Sequence, residues 1–217
     1  IDAKVPNAIR VDFSPEVLID SLDKLPLDFV PGSKYQYSNS NYFLLGKIIE
    51  EVSGKKYQTY LQEQIFARIG LSSTFYDNPD KIIKNRTSGY SYNSGEYTNV
   101  GFISMSTVYS AGALLSNVKD LYHWHQSLLN GDLLKKETWE RATSPYRLID
   151  GTLSEYGYGF FVKNDNNVKS IGHGGAIDGF RAVEIYYPEN DLYIVLLLNS
   201  SQDNFMELYS SIYQIMS

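Results

Sequence analysis

Cysteine is absent from the 217 residues, which excludes disulfides and thiolate metal sites. Histidine is scarce, with three in all. His123 and His125 flank Trp124, and at i and i+2 on a helix they point to different faces, a poor arrangement for chelating one metal. They read as surface residues beside a partly buried Trp124, and neither a metal nor another cofactor is expected. No run of Lys or Arg occurs and the net charge is −6, which argues against nucleic acid as a partner. The longest strongly apolar run, Leu192 to Leu198, is far too short to span a bilayer. No secretory signal is visible, and the chain opens at Ile1 rather than methionine, so an upstream segment removed or not included is expected.

What is present is ordinary for a globular protein: 43% hydrophobic and 20% charged residues. The length suits one sizeable domain, with two lobes around a shared cleft as an option. Ser14-Pro15-Glu16 reads as N-cap, proline at the first helical position and an acid in the first turn. Leu18, Leu22 and Leu25 follow at helical spacing until Pro26. Leu44, Leu45, Ile48, Ile49 and Val52 predict the buried face of a second helix, with Gly54 as its C-cap. A third carries Tyr60, Leu61 and Ile65 and stops at Gly70.

From Ser72 to Met105 the periodicity dissolves into Asn, Gly, Ser and Tyr, with Arg86, Tyr90, Tyr92 and Tyr97 among them. A loop of that length inside a compact domain is usually functional. A helix capped at Ser116 or Asn117 then turns Val118, Leu121 and Leu128 inward, and a short one follows around Lys136 to Ala142. Past Asp150 the pattern changes to strands: Tyr156 to Val162, Val168 to Ile171, Phe180 to Tyr187 and Leu192 to Leu198. Asp178-Gly179 and Pro188-Glu189-Asn190-Asp191 supply hairpin turns. Phe205, Leu208, Ile212 and Ile215 define a closing amphipathic helix that should lie on the sheet. The architecture is α+β: a helical lobe over about 14–150, then an antiparallel sheet and terminal helix over about 151–217, together one domain.

Two stretches carry candidate chemistry. Pro31-Gly32 turns into Tyr37-Ser38-Asn39 immediately before the second helix. A phenol at a helix mouth can relay a proton, and a carboxamide can orient a substrate carbonyl; the same Ser-Asn pair is also what an N-cap requires. Downstream, His173-Gly174-Gly175-Ala176 sits at the end of a strand. Glycines there strip the strand of side chains, so an extended ligand can be held by main-chain hydrogen bonds, with a backbone N–H near Ala176 as an oxyanion donor. A glycine-rich hairpin with an incidental histidine is the plainer alternative.

Taken together and in order, these elements resemble the serine β-lactamase and penicillin-binding superfamily. The likeness is to the branch of class C β-lactamases, D-alanyl-D-alanine peptidases and related esterases. Pro-Gly-x-x-Tyr-x-Tyr-Ser-Asn, the Val52-Ser53-Gly54 helix end, Ile69 to Thr74, Ala111 to Ser116 and the His-Gly-Gly strand fall in that family's order. The resemblance implies a β-lactamase/transpeptidase-like fold and three elements around one cleft: Ser-x-x-Lys, Tyr-x-Asn and Lys/His-x-Gly. It assigns proton transfer to Tyr37, holding of the substrate amide and catalytic lysine to Asn39, and the strand position to His173. Gly174, Gly175 and Ala176 would bind the substrate, Ala176 with an oxyanion N–H. It further implies a small-molecule or peptide substrate, a location outside the cytoplasm and activity as a serine acyl hydrolase on a peptide, ester or β-lactam. Histidine in place of the strand lysine leans toward peptidase or esterase.

The departure lies in the nucleophile. The family's Ser-x-x-Lys precedes Tyr-x-Asn by many tens of residues, whereas 36 residues precede Tyr37 here. Of three in-chain matches, Ser21 lies late in a helix and Ser53 at a helix end, where the dipole has the wrong sign. Ser116 opens a helix but follows the tyrosine and is better explained as a cap. The nucleophile is therefore expected upstream of these residues. The competing reading is a catalytically inactive binding or regulatory module that keeps the cleft.

Overall fold

Ser14 caps the first helix as expected: its hydroxyl accepts from the Val17 N–H, and Pro15 occupies the first turn. The structure, a computed structural model, describes residues 10–201 and 204–216. In chain order, its helices are α1 (Pro15–Asp23), α2 (Asn39–Ser53), α3 (Tyr57–Leu61), α4 (Met105–Val108), α5 (Val118–Leu129), α6 (Lys136–Ala142) and α7 (Phe205–Met216). Its strands are β1 (Phe75–Tyr76), β2 (Tyr90–Asn93), β3 (Glu96–Asn99), β4 (Leu114–Leu115), β5 (Phe161–Asp165), β6 (Val168–Ile177), β7 (Phe180–Tyr187) and β8 (Leu192–Leu198). The described residues form two compact units, one of 10–84 with 102–116, the other of 85–101 with 117–201 and 204–216.

The first unit is organised around α2. Phe43 is fully buried and packs on Tyr109, ring centroids 5.0 Å apart, and Tyr109 in turn meets Tyr57 at 5.2 Å. Burying side chains of this size contributes about 1.5–3 kcal/mol each. Gly46 lies against Ser110 so closely that an added Cβ would stand 2.1 Å from its Oγ. That hydroxyl donates to the α2 carbonyls of Tyr42, at 2.8 Å, and Phe43, at 3.1 Å. The buried stripe of α2 is thus Phe43 and Gly46, not the face drawn through its leucines and isoleucines. Leu45, Ile48 and Val52 are exposed, as is Leu25 beyond α1. Hydrophobic periodicity misplaced the face because close approach to Ser110 needs the smallest residue, which a count of apolar side chains passes over.

Gly54, at φ 68°, ends α2 as expected. Past α3 the helix widens by one residue over Gln62–Phe66, buries Tyr57, Leu61 and Phe66, and stops at Gly70. The stretch from Ser72 to Met105 is not one irregular loop. β1 pairs with β4, and β2 and β3 form a hairpin about Ser94-Gly95, both at positive φ.

In the second unit β5-β6-β7-β8 is an antiparallel sheet in sequence order. Side chains alternate between its faces. Val183, Tyr187 and Ile194 meet Phe205 and Tyr209 of α7 on one face. Glu184, Tyr186 and Tyr193 turn to the other, where His125 of α5 packs. The terminal helix lies on the sheet as expected, but through Phe205, Tyr209, Ile212 and Tyr213, while Leu208 and Ile215 are exposed. Tyrosines replaced leucines in the contact because the Tyr187 and Tyr209 hydroxyls hydrogen-bond each other at 2.6 Å inside it. On α5 the cap is Asn117, accepting from Asp120 N–H at 2.9 Å, and Val118 is exposed. His125, expected on the surface, is 4% exposed.

Candidate active site

Pro31-Gly32 is a turn closed by Ser33 N–H to Val30 C=O at 3.0 Å, with Gly32 at φ 83°. The chain then runs without regular structure to Ser38, whose extended backbone (φ −147°, ψ 118°) is that of an N-cap, though its side chain closes no cap hydrogen bond. Asn39 opens α2 and is half-buried. Tyr37 is exposed, with Tyr35 and Tyr42 as neighbours. Burial, and then the proximity of Tyr42 and Tyr37, raise the Tyr35 phenol above its ordinary value, so it stays protonated. Tyr37 and Asn39 belong to the first unit, and His173 to Ala176 to the second.

The His-Gly-Gly segment lies inside β6 rather than beyond its end. β5 pairs with β6 from Asp165↔Val168 to Phe161↔Gly172. From His173 onward no strand of this unit, among the described residues, pairs with β6 on that side. Ile177 and Phe180 flank the two-residue Asp178-Gly179 turn as a pair. Because antiparallel pairing alternates, Ile177, Gly175 and His173 turn their backbone groups toward β7, and Ala176 and Gly174 turn theirs to the open edge. Gly174, Gly175 and Ala176 are exposed.

The glycines of this strand divide into two kinds. A Cβ on Gly172 would stand 2.0 Å from the Glu184 carbonyl oxygen, so the sheet itself requires glycine there. On Gly174 or Gly175 the nearest atoms would lie 3.5 and 3.8 Å away, ordinary contact distances, and neither residue has a positive φ. Packing within the fold therefore does not demand the bare edge at 174–175.

His173 is half-buried. Its Nδ1 lies 2.6 Å from the Gly174 carbonyl, which can only accept, so Nδ1 carries the proton. Its Nε2 lies 2.9 Å from the Tyr156 hydroxyl. Burial lowers the imidazole below its ordinary value, partly offset by the bond to Gly174. The ring is accordingly neutral at pH 7, where a lysine would be a cation. Tyr156, read from the sequence only as part of a strand, lies in a loop before β5; its role is legible only through the contact with His173.

The Ser-x-x-Lys matches fare poorly as nucleophiles. Ser21 Oγ donates to Val17 C=O at 2.8 Å and Ser53 Oγ to Ile49 C=O at 2.6 Å, each one helical turn back. Ser116 shares a hydrogen bond with the Thr74 hydroxyl at 2.8 Å, and Lys119 is exposed.

The chain matches the family described as Beta-lactamase over residues 2–213. It is 28% identical over 189 residues to penicillin-binding protein 4* of Bacillus subtilis (strain 168), covering 81% of this chain and 42% of that protein. With a D-aminopeptidase of Brucella ovis it shares 25% identity over 173 residues, covering 79% of this chain and 33% of that one. Its structure is similar to the octameric penicillin-binding protein homologue from Pyrococcus abyssi, with a TM-score of 0.76 and 26% identity over 92% of this chain and 46% of the other. The chain spans less than half the length of each of these relatives. The fold is of the β-lactamase/transpeptidase type, as the motifs implied.

Proposed function

The chain belongs to the Beta-lactamase family, and on that premise we propose that it carries the substrate-binding and proton-handling elements of a serine acyl hydrolase. The reaction proceeds through an acyl-enzyme on a peptide, ester or β-lactam. The observation that carries this reading is the open edge of β6, where glycines that packing does not require leave the Gly174 and Ala176 backbone groups outward and exposed.

In the proposed reaction an extended substrate pairs with that edge, and the Ala176 N–H donates to the oxyanion of the tetrahedral intermediate. Tyr37 takes the nucleophile's proton and returns it to the leaving group, while Asn39 orients the substrate amide. A neutral His173 offers no fixed charge to a substrate carboxylate, which favours an ester, or an amide such as a D-aminopeptidase cleaves, over a penicillin. The nucleophilic serine is supplied by sequence outside these residues, since Ser21, Ser53 and Ser116 are all engaged elsewhere. By likeness to penicillin-binding proteins the site works outside the cytoplasm; among the described residues no helix is long and apolar enough to cross a membrane.

Mass spectrometry after exposure to a fluorophosphonate or a penicillin tests the proposal. The full-length protein should gain one adduct on a serine outside these residues, and the 217-residue chain none. A stoichiometric adduct on Ser116 would overturn the assignment of the nucleophile. An unlabelled full-length protein that still binds a D-amino acid amide would mark an inactive binding module.

A further inference from the structure

We propose that Tyr156 is a positioning residue for His173: its buried hydroxyl donates to Nε2 and thereby fixes the ring as the neutral Nδ1–H tautomer, turned onto the Gly174 carbonyl. The sense of both hydrogen bonds follows from chemistry. The carbonyl at 2.6 Å can only accept, so the proton of a neutral ring is on Nδ1 and Nε2 is bare. A bare nitrogen 2.9 Å from a phenol oxygen must receive that phenol's proton. Burial, which lowers the imidazole's affinity for a second proton, keeps the ring in this state at neutral pH.

The surroundings of Tyr156 are built to hold it. The residue is 6% exposed, and its ring stands edge-on to Phe161 at 4.8 Å. Phe161 also lies 5.1 Å from the His173 ring, so the three rings pack as one group. The backbone of Tyr156 is pinned at both ends. Its carbonyl accepts from the buried Ser154 hydroxyl at 2.9 Å and from the Tyr146 N–H at 3.1 Å. Next to it, Gly157 approaches α6 so closely that a Cβ would stand 2.1 Å from the Ala142 carbonyl oxygen. Tyr158 N–H donates to that same oxygen at 2.8 Å. A loop this constrained delivers the phenol to one place.

The consequence concerns the open edge. With Nδ1–H directed at the Gly174 carbonyl, one lone pair of that acceptor is occupied, so an incoming strand competes for it while the Gly174 N–H and both backbone groups of Ala176 stay open. Without Tyr156 the ring is free to adopt the Nε2–H tautomer, which releases the carbonyl. Glu184, paired with His173 on the neighbouring β7, shares this face of the strand pair with Tyr186 and, by alternation along β6, with Lys169. Burial raises the Glu184 carboxyl above its ordinary value, against the smaller opposing effect of the Tyr193 hydroxyl, which weakens it as a counter-ion for His173. The effect on turnover rests on the proposed function; the tautomer does not.

The test is 15N spectroscopy of ring-labelled histidine at pH 7.5, on the wild-type protein and on Tyr156→Phe, which keeps the ring and removes only the hydroxyl. Wild-type His173 should be one Nδ1–H tautomer, and the variant a mixture with the melting temperature little changed. An unchanged tautomer in the variant overturns the proposal. Should the variant fail to fold, the wild-type spectrum decides alone: an Nε2–H tautomer or an imidazolium overturns it, and Nδ1–H with a hydrogen-bonded Nε2 supports it. In the full-length hydrolase, Tyr156→Phe should lower kcat by up to about 100-fold. A changed tautomer with unchanged turnover leaves the positioning intact and removes His173 from the proposed reaction.

Discussion

His125 lies face to face with Tyr193, ring centroids 3.9 Å apart and planes within 3° of parallel. The stack joins α5 to the sheet, and no partner meets His125 Nε2 among the described residues. Burial lowers the imidazole to about 4, with Asp191 opposing weakly. The unfolded chain takes up a proton near pH 6.5, the native one only near 4, so acid favours unfolding. Stability should fall across that window, on the order of 3 kcal/mol in all. Denaturation midpoints measured between pH 7 and pH 4 should show the loss in the wild type and a smaller one in His125→Phe, which keeps the stack. Parallel pH profiles for the two proteins would contradict the assignment.

Glu184 shows the opposite slope. Burial raises its carboxyl, against a smaller opposing effect of the Tyr193 hydroxyl at 2.5 Å. A raised native value means that stability is complete below the unfolded carboxylate range and is lost as pH rises toward the native one. Glu184→Gln, which cannot ionise, should therefore be more stable than the wild type at pH 8 and not at pH 4. Urea titrations at the two pH values check the sign.

Gly172→Ala should destabilise by more than about 2 kcal/mol, because its Cβ meets backbone rather than a movable side chain. Gly175→Ala, with 3.8 Å of room, should leave the melting temperature nearly unchanged yet weaken substrate binding in the full-length protein. Equal losses of stability in the two variants would remove the distinction between structural and ligand-facing glycines on β6.

Tyr37→Phe removes only a hydroxyl from an exposed side chain. In the full-length enzyme acylation should slow by about 10²–10⁴-fold with folding intact. Rapid-quench measurement of ester acylation gives the answer, and an unaltered rate would remove Tyr37 from the mechanism.

Local chemistry made much of the fold legible in the sequence. Ser14-Pro15, Gly54, Asp178-Gly179 and the alternating strands Phe180–Tyr187 and Leu192–Leu198 each specify their conformation within a few residues, and all stand where expected. His173 and its glycines could be singled out because stripping a strand of side chains is itself a sequence feature. Which faces are buried was decided by tertiary structure. α2 turns Gly46 inward because Ser110, distant in the chain, needs room against it, and α7 turns Tyr209 inward because Tyr187 supplies a hydroxyl partner. The burial of His125 and the pairing of Tyr156 with His173 likewise depend on contacts between separate elements. Periodicity records the composition of one element, whereas a hydrogen bond or a close approach needs the second partner in place.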